Sequence, residues 1–261
     1  MAVVDLHCHL LPGVDDGSKN MEISLELAAD AVDNGVTHAL LTPHHLNGVY
    51  VNHKADVLTA TAKFAEQLQL NGIDLKVFPG QEVRINGDLL TAIDQDDILY
   101  ADETGKYMML EFPDNEVPAY TKAMIAEIEQ RGVIPVIVHP ERNTAILAKP
   151  ELLLELIGQH DCLAQLTASS YVGTFGKKVA NFSYQLIEAG QVNVLASDAH
   201  HLPGRKYEMR QAFEKLTKDF GADRAELFER SAENILNGNP VERPIVSEIK
   251  TKRRGLFGFR R

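Results

Sequence analysis

The stretch Val3-Val4-Asp5-Leu6-His7-Cys8-His9 opens the chain with a short apolar run that ends in two histidines. Residues two apart in a β-strand point to the same face, so His7 and His9 face one side while Cys8 faces the other. Two imidazoles on one face are able to bind one metal ion, although such pairs also occur by chance on exposed strands. The turn that follows adds the paired carboxylates Asp15-Asp16.

The same arrangement, an apolar run followed by a metal-binding side chain, recurs along the chain. Short apolar or β-branched runs precede His44, Glu82, Glu111, His139, Asp198 and His200. Such runs are typical of parallel strands that are buried on both faces. The predicted strands span residues 3–7, 39–42, 75–78, 107–111, 135–139, 163–167 and 193–196.

Helical patterns fill the intervals between these strands. The predicted helices span residues 21–34, 55–70, 118–131, 150–159, 178–189, 207–220 and 224–237. Strand and helix alternating about seven times predict an α/β fold whose parallel sheet closes into a barrel, with an open doubly wound sheet as the alternative. In a barrel, the C-terminal strand ends form one cup, so the strand-end residues converge there.

The composition predicts a globular protein of a reducing compartment. The 261 residues are 44% hydrophobic and contain two cysteines, too few for a disulfide framework. No run reaches the length of a membrane-spanning helix, and the first strand leaves no room for a signal peptide, so we expect a cytoplasmic location. The net charge of -11 disfavours nucleic acid as a partner, because its phosphates require a positive surface.

The chain divides into one predicted domain and a basic tail. We find no linker-like stretch within residues 1–249 and expect a single domain there. Residues 250–261 combine six Lys and Arg side chains with Leu256, Phe257 and Phe259. This composition predicts a flexible tail when unbound, and it also suits peripheral contact with an anionic membrane or an acidic partner.

The potential metal ligands number nine when one carboxylate of the Asp15-Asp16 pair is included. Nine donors are too many for one zinc ion, which takes about four, whereas two or three ions that share carboxylates use them well. Imidazole and carboxylate donors without thiolate suit Mn, Zn or Fe better than copper. Any one of these histidines is also compatible with a structural role, but the set predicts a metal cluster.

Six motifs in order give the chain a resemblance to the polymerase-and-histidinol-phosphatase (PHP) superfamily: DLHCH, DDG, TPHH, GQEVR, HPER and SDAH. The longer segments HCHLLPGVDDG, TPHHLNGVY, PGQEVRINGDLL, IVHPERN, QLTASSYVGTFGKK and LASDAHH resemble the bacterial PHP-type tyrosine-protein phosphatases of capsular and exopolysaccharide operons. The sequence departs from the family pattern at Asn143, where an aromatic residue is common, and at His201, where asparagine is common. Neither departure removes a ligand, although both affect the expected fit of a substrate.

The resemblance implies a distorted (β/α)7 barrel with three divalent metal ions, usually manganese. Carried over position by position, it selects Asp16 over Asp15 and His44 over His45. The implied ligands are His7, His9, Asp16, His44, Glu82, Glu111, His139, Asp198 and His200. The implied substrate is a phosphotyrosine protein, namely a membrane-associated bacterial tyrosine kinase that controls polysaccharide synthesis.

Arginines near the strand ends fit the chemistry of a phosphate ester. Arg142 and Arg205 lie in strand-end loops, and a guanidinium fork matches phosphate oxygens, so we expect both to act in catalysis; Arg84 is a weaker candidate. Asp198 is a catalytic candidate as well, because either it or His201 is placed to donate a proton. Cysteine-based phosphatases carry an arginine six residues after the cysteine, and neither cysteine here does, so we expect no thiolate mechanism.

Other functions are compatible with the same residues. A small-molecule phosphatase such as a histidinol-phosphate phosphatase shares the superfamily ligands, although the GQEVR and LTASSYVGTFGKK segments favour the tyrosine phosphatases. A non-catalytic PHP module is the third hypothesis, and the complete ligand set argues against it. Four aromatic residues in predicted loops are candidates to flank a phosphotyrosine ring: Tyr50, Phe112, Tyr171 and Phe175.

Overall fold

The computed structural model describes residues 3–249, so the predicted tail at 250–261 lies outside the described residues. Within residues 3–249 there are nine strands and ten helices. The strands are β1 (Val3–Cys8), β2 (Val36–Leu41), β3 (His44–His45), β4 (Lys76–Pro79), β5 (Glu82–Arg84), β6 (Tyr107–Glu111), β7 (Ile134–Val138), β8 (Leu163–Thr167) and β9 (Val194–Ala196). The helices are α1 (Met21–Asp33), α2 (Lys54–Leu70), α3 (Leu89–Asp94), α4 (Thr121–Gln130), α5 (Thr144–Ala148), α6 (Glu151–Gln159), α7 (Ala168–Val172), α8 (Lys177–Glu188), α9 (Met209–Phe220) and α10 (Ala222–Leu236).

The strands form a parallel barrel with seven strand positions. One sheet has the order β1-β2-β4 and the other the order β3-β5-β6-β7-β8-β9. Strands β2 and β3 share one position, as do β4 and β5. The barrel closes between β9 and β1, where backbone hydrogen bonds join the residues at the ends of the two strands. Asp198 N donates to His7 O (2.8 Å), and His9 N donates to Ala199 O (2.9 Å). The predicted (β/α)7 barrel is therefore confirmed, and the open doubly wound sheet is not the fold.

Two breaks in the strands cause the distortion of the barrel. Pro43, which has no N–H to donate, lies between β2 and β3. Gly80 and Gln81 separate β4 from β5. The ladder of β4 thus continues only with β2, whereas β3 and β5 begin the larger sheet. These breaks fall just before His44 and Glu82. Each break therefore changes the direction of the chain immediately before a predicted ligand at the C-terminal rim.

Apolar side chains pack on both faces of the barrel wall. A smaller cluster, with Val136 and Val138 among its members, comes mainly from strand residues and is joined at one end by Ala232 and Ile235 of α10. A larger cluster, which includes Ile137, joins the strands to the surrounding helices. Alternate strand residues thus fall in different clusters, as expected for strands that are buried on both faces.

The first strand contains an irregularity that matters for the site. Leu6 belongs to the smaller cluster but Cys8, two residues later, belongs to the larger one. The register of β1 against β2 shifts between Asp5 and Cys8, which explains this change of face. As a result, His7 and His9 both point into the cup while Cys8 packs outside it, as predicted.

The sequence-based elements differ from the structure in detail. The predicted strands at 107–111 and 163–167 coincide with β6 and β8, whereas β2 begins at Val36, three residues before the predicted start. The short helices α3, α5 and α7 were not predicted, since five or six residues are too few for a periodic pattern. None of the helices within residues 3–249 has the length and apolar composition needed to cross a bilayer.

Candidate metal centre

All nine predicted ligands lie together in the cup at the C-terminal ends of the strands. They fall into four overlapping groups whose donor atoms lie within 4.8 Å of one another. The groups are His9–Asp16–His44–His200, His7–Glu82–His139, His7–His9–Asp198 and His44–Glu82–Glu111. Four residues, His7, His9, His44 and Glu82, each belong to two groups, so the donors form one continuous cluster.

The two opening histidines share one side of this cluster. The Nε2 atoms of His7 and His9 lie 3.2 Å apart. Both face Glu82 Oε2, at 3.2 and 3.3 Å, and Asp198 Oδ1, at 3.5 and 3.6 Å. Two ligands that each lie about 2.1 Å from an ion are about 3 to 3.5 Å apart, so this spacing fits a shared ion.

His44 and Asp16 connect the other side of the cluster. His44 Nδ1 lies 2.9 Å from Glu82 Oε2 and 3.7 Å from Glu111 Oε2. Its Nε2 lies 3.3 Å from Asp16 Oδ1, which is also 3.6 Å from His200 Nε2. His139 completes the set, with Nε2 2.7 Å from Glu82 Oε1.

The choice of Asp16 and His44 over their neighbours agrees with the geometry. Asp15 Oδ2 lies 2.8 Å from His9 Nδ1, on the side of the ring away from the cluster. His45 is fully buried, and its ring lies edge-on to His53 with centroids 6.0 Å apart, outside the four donor groups. Asp16 and His44 are the members of each pair that reach the cluster.

Two residues that the sequence did not single out as contacts orient the opening histidines. Asp15 accepts from the Nδ1 side of His9 at 2.8 Å, and Gln165 Oε1 lies 3.0 Å from His7 Nδ1. A partner on the far ring nitrogen fixes the orientation of a metal-binding imidazole. The DDG motif pointed at Asp15 only as the rejected alternative, and Gln165 in the middle of a buried strand carried no signal beyond its polarity.

The backbone around the donors is tightly constrained. His139 and Asp198 have positive φ values of 35° and 52°, which are unusual for residues with a side chain. Strained backbone of this kind clusters at functional sites, where the surroundings hold it. Gly17 closes the turn after Asp16, where a Cβ atom would lie 2.6 Å from the Cβ atom of His9, so only glycine fits.

The acidic residues hold positive charge on two of the imidazoles, those of His44 and His9, whereas burial lowers the pKa of His139 to about 3 and that of His200 to about 4. Burial lowers the pKa of His44, but the carboxylates of Glu82 and Asp16 outweigh burial and raise it to about 12. Burial also opposes protonation of His9, yet Asp15 and Glu82 raise its pKa to about 9. The buried carboxylates therefore stabilise positive charge beside them. Protons and metal ions compete for the same nitrogen lone pairs.

The carboxylates themselves respond to their neighbours in opposite ways. Burial and the adjacent charge of Glu82 raise the pKa of Glu111 to about 7. Burial acts in the same direction on Asp198, but the Arg142 and Arg205 guanidiniums outweigh it and hold the Asp198 pKa well below its usual range. An aspartate with so low a pKa has no proton to give at neutral pH. Asp198 is therefore better suited to bind a metal ion and to hold the two arginines than to donate a proton.

Three arginines line a cavity above the donor cluster. The cavity has a volume of about 660 Å³, and six of the nine donors reach its wall. Arg142 Nη2 lies 2.5 Å and Arg205 Nη2 2.7 Å from Asp198 Oδ2. Arg84 Nε donates to Glu111 Oε2 at 2.7 Å. All three guanidiniums therefore lie at the edge of the metal-type cluster and face the cavity.

The remaining sequence candidates divide between the cavity and the core. Tyr50 and Phe112 line the cavity, and the Phe175 ring lies 5.3 Å from the Arg142 guanidinium carbon. Tyr171 is fully buried in α7 and donates its hydroxyl to Asp219 Oδ2 at 2.7 Å, so the expectation that it flanks a ligand is wrong.

Cys8 has a structural environment. Its Sγ donates to Leu40 O at 3.3 Å, outside the cup. Burial and the charge of Asp5 raise the pKa of this thiol well above its ordinary value. A thiol of this kind is a poor nucleophile, which agrees with the expected absence of a thiolate route.

Unpartnered atoms test whether this donor set fits metal ions. Within the described residues, Glu82 Oε2, Asp198 Oδ1, His44 Nδ1 and His200 Nε2 are buried and have no partner with hydrogen-bond geometry. Each nevertheless lies 2.9 to 3.6 Å from another potential metal ligand, with an imidazole nitrogen facing a carboxylate oxygen in every case. Buried polar atoms normally find a partner, so atoms that converge without one fit divalent cations.

Fold and site together define a class of protein: a (β/α)7 barrel with a multi-donor metal-type cluster and arginines in its C-terminal cup. The chain belongs to the capsular polysaccharide synthesis family CpsB/CapC, whose model matches residues 3–237. The resemblance recognised from the sequence motifs is therefore confirmed.

Similar proteins support this assignment over nearly the full chain. The tyrosine-protein phosphatase YwqE of Bacillus subtilis (strain 168) is 38% identical over 257 residues, which cover 98% of this chain and 100% of YwqE. The putative tyrosine-protein phosphatase CapC of Staphylococcus aureus is 32% identical, with the same coverage. Work on crystal structures of YwqE from Bacillus subtilis and CpsB from Streptococcus pneumoniae describes them as metal-dependent tyrosine phosphatases. One chain from that work superposes with a TM-score of 0.91 at 36% identity, covering 95% of this chain and all of the other.

Proposed function

We propose that this protein is a metal-dependent protein-tyrosine phosphatase that hydrolyses phosphotyrosine in the cytoplasm. Its proposed substrate is a membrane-associated tyrosine kinase that controls capsular or exopolysaccharide synthesis. The proposed cofactor is a set of three divalent ions, with manganese preferred and iron or zinc as alternatives. The observation that carries the proposal is the convergence of nine imidazole and carboxylate donors beneath a cavity lined by arginines.

The donor set fits hard or borderline divalent ions because it contains no thiolate. Glu82 offers Oε1 towards His139 and Oε2 towards His7 and His44, the arrangement expected of a bridging carboxylate. Divalent ions held by these donors would supply two kinds of chemistry, namely activation of a water molecule and neutralisation of phosphate charge. The chain's own contribution is to fix the donors through buried contacts such as those from Asp15 and Gln165.

The arginines are proposed to bind and orient the phosphate. Arg142 and Arg205 both end on Asp198 Oδ2, which holds their guanidiniums at the cavity floor without using all of their N–H groups. A guanidinium presents parallel N–H donors that match two phosphate oxygens. The same groups would stabilise charge that builds on the phosphoryl oxygens during transfer.

A tyrosine phosphate ester depends little on a general acid, because its leaving group is a phenol. The phenol of tyrosine has a pKa of about 10, so the phenolate leaves more readily than an alkoxide. Asp198 is held ionised by its two arginines, which makes it a poor proton donor. An aryl ester, whose leaving group needs no proton, is therefore better matched to an ionised Asp198 than an alkyl ester is.

A rate comparison under manganese tests the proposal. The purified protein is assayed with a phosphotyrosine peptide, the same peptide carrying phosphoserine, and histidinol phosphate. We expect the highest kcat/KM for the phosphotyrosine peptide and loss of activity in excess chelator. A clear preference for histidinol phosphate would overturn the assignment in favour of a small-molecule phosphatase.

A further inference from the structure

Two side chains at the mouth of the cavity take no part in the donor set. The Tyr50 ring lies nearly parallel to the His44 imidazole, at 11°, with 6.2 Å between centroids. Tyr50 is half-buried, whereas the His44 ring beside it, a proposed ligand, is buried. Val49 beside it is 79% exposed and also lines the cavity. We call these two residues the rim wall.

The loop that carries the rim wall is fastened at several points. The Asn47 side chain accepts hydrogen bonds from the backbone N–H groups of both wall residues, at 3.0 and 2.7 Å. Asn86 donates to the carbonyl of Leu46 at 2.7 Å, and Asn52 donates to the carbonyl of His44 at 2.8 Å. A wall held this way is preorganised, so a ligand that packs on it does not have to order the loop first.

The other aromatic candidates do not offer a comparable surface. Phe112 lines the cavity but is only 4% exposed. Phe175 is half-buried like Tyr50, but it packs against the Arg142 guanidinium and is not among the residues that line the cavity. Tyr171 is in the core. Among the described residues that line the cavity, Tyr50 is thus the tyrosine or phenylalanine ring that is open to a ligand at the mouth.

We propose that the rim wall is the specificity-determining surface for the ester group, and that Tyr50 selects an aromatic ring over an alkyl chain. This inference rests on the proposed function. A phosphate bound by the arginines at the floor directs its ester group towards the mouth, past Tyr50. An aromatic ring gains a stacking or edge-to-face contact there, whereas the short alkyl chain of phosphoserine offers no π-face.

Competitive inhibition by two phosphonates measures this selectivity without hydrolysis. Phenylphosphonate and methylphosphonate share the anionic head and differ in the group that reaches the wall. Tyr50→Leu should lower the selectivity for phenylphosphonate, taken as the ratio of the two inhibition constants, by about 2- to 12-fold, the equivalent of 0.5–1.5 kcal/mol. Tyr50→Phe keeps the ring and should keep the ratio.

A matched control separates the wall from a general effect of removing a tyrosine. Tyr120 is 45% exposed, lies in the loop after β6 and is not among the cavity-lining residues described. Tyr120→Leu should leave the ratio unchanged. Mass spectrometry is used to measure whether Tyr50→Leu keeps its metal ions. If this variant loses them, Val49→Ser provides a second test, with an expected loss of selectivity of about twofold.

Two outcomes would overturn the inference. One is an unchanged phosphonate ratio in metal-replete Tyr50→Leu and Val49→Ser. The other is an equal fall of the ratio in Tyr120→Leu. Failure of the proposed function is seen separately, as a wild-type protein that does not hydrolyse the phosphotyrosine peptide under manganese, whatever its phosphonate ratio.

Discussion

Replacement of Glu82 by glutamine perturbs the centre of the donor cluster. Glu82 is fully buried, with Oε1 2.7 Å from His139 Nε2 and Oε2 2.9 Å from His44 Nδ1. Glutamine has nearly the same shape but no charge, and its amide nitrogen cannot bind a cation. Glu82→Gln therefore removes a proposed bridging ligand while leaving the packing of β5 almost unchanged.

The expected magnitude follows from linkage between metal binding and folding. A ligand present at 100 times its Kd stabilises the folded state by about 2.7 kcal/mol. One kcal/mol shifts the Tm of a chain of this size by about 2–4 °C, so removal of a single ion should lower the wild-type Tm by about 5–11 °C, and chelation of several ions by more. In Glu82→Gln this chelator effect should shrink, because two of the four donor groups contain Glu82, and kcat/KM should fall by at least about 100-fold.

The assay combines metal content, thermal unfolding with and without chelator, and hydrolysis of a phosphotyrosine peptide. Glu66→Gln is the matched control, because Glu66 is exposed on α2 and belongs to none of the four donor groups. We expect the control to behave as wild type in all three measurements. Wild-type metal content together with a full chelator effect in Glu82→Gln would refute the bridging role.

Four further outcomes are expected. Arg142→Lys should lower kcat/KM for a phosphotyrosine peptide by about 10- to 100-fold with metal content unchanged, because lysine lacks the fork that matches phosphate oxygens. The apparent metal affinity, measured by competition with a chelator of known affinity, should rise with pH from 6 to 9, because His9 with its pKa of about 9 must lose a proton before it binds an ion; a flat profile would contradict this. Alkylation of native protein with iodoacetamide should spare activity, since Cys8 and Cys162 are both buried, and rapid inactivation would argue for a thiol role. Deletion of residues 250–261 should reduce pelleting with anionic liposomes, and equal pelleting of both forms would exclude a tail anchor.

Much of the fold was predictable because buried parallel strands have a strong local signature. The run at 107–111 is apolar up to its final Glu111 and became a strand with the predicted bounds; the weaker run at 163–167, which contains Gln165 and Thr167, did so as well. The interruptions at Pro43 and at Gly80-Gln81 were harder to foresee. A break within a strand depends on how its neighbours pair, and pairing is a property of the closed barrel rather than of the local sequence.

The convergence of the proposed donors in the cup was predictable for a different reason. Ligands at strand ends converge in any parallel barrel, so a histidine or acid after each apolar run is informative without knowledge of distances. The orienting partners were not accessible in this way. Gln165 contacts His7 across 158 positions of sequence, and Arg84 reached Glu111 through the pairing of β5 with β6.

The sequence by itself determined the strand–helix repeat, the family and which His, Asp and Glu side chains are proposed as metal donors, because each of these is encoded in local pattern or in ordered motifs. Only the tertiary structure decided which oxygen faces which imidazole, that Asp198 anchors two arginines, and that Tyr50 rather than Tyr171 stands at the mouth. The physical reason is that these contacts depend on strand register and loop path. A shift of one residue in a strand turns every side chain to the opposite face, and no local pattern fixes where a loop returns.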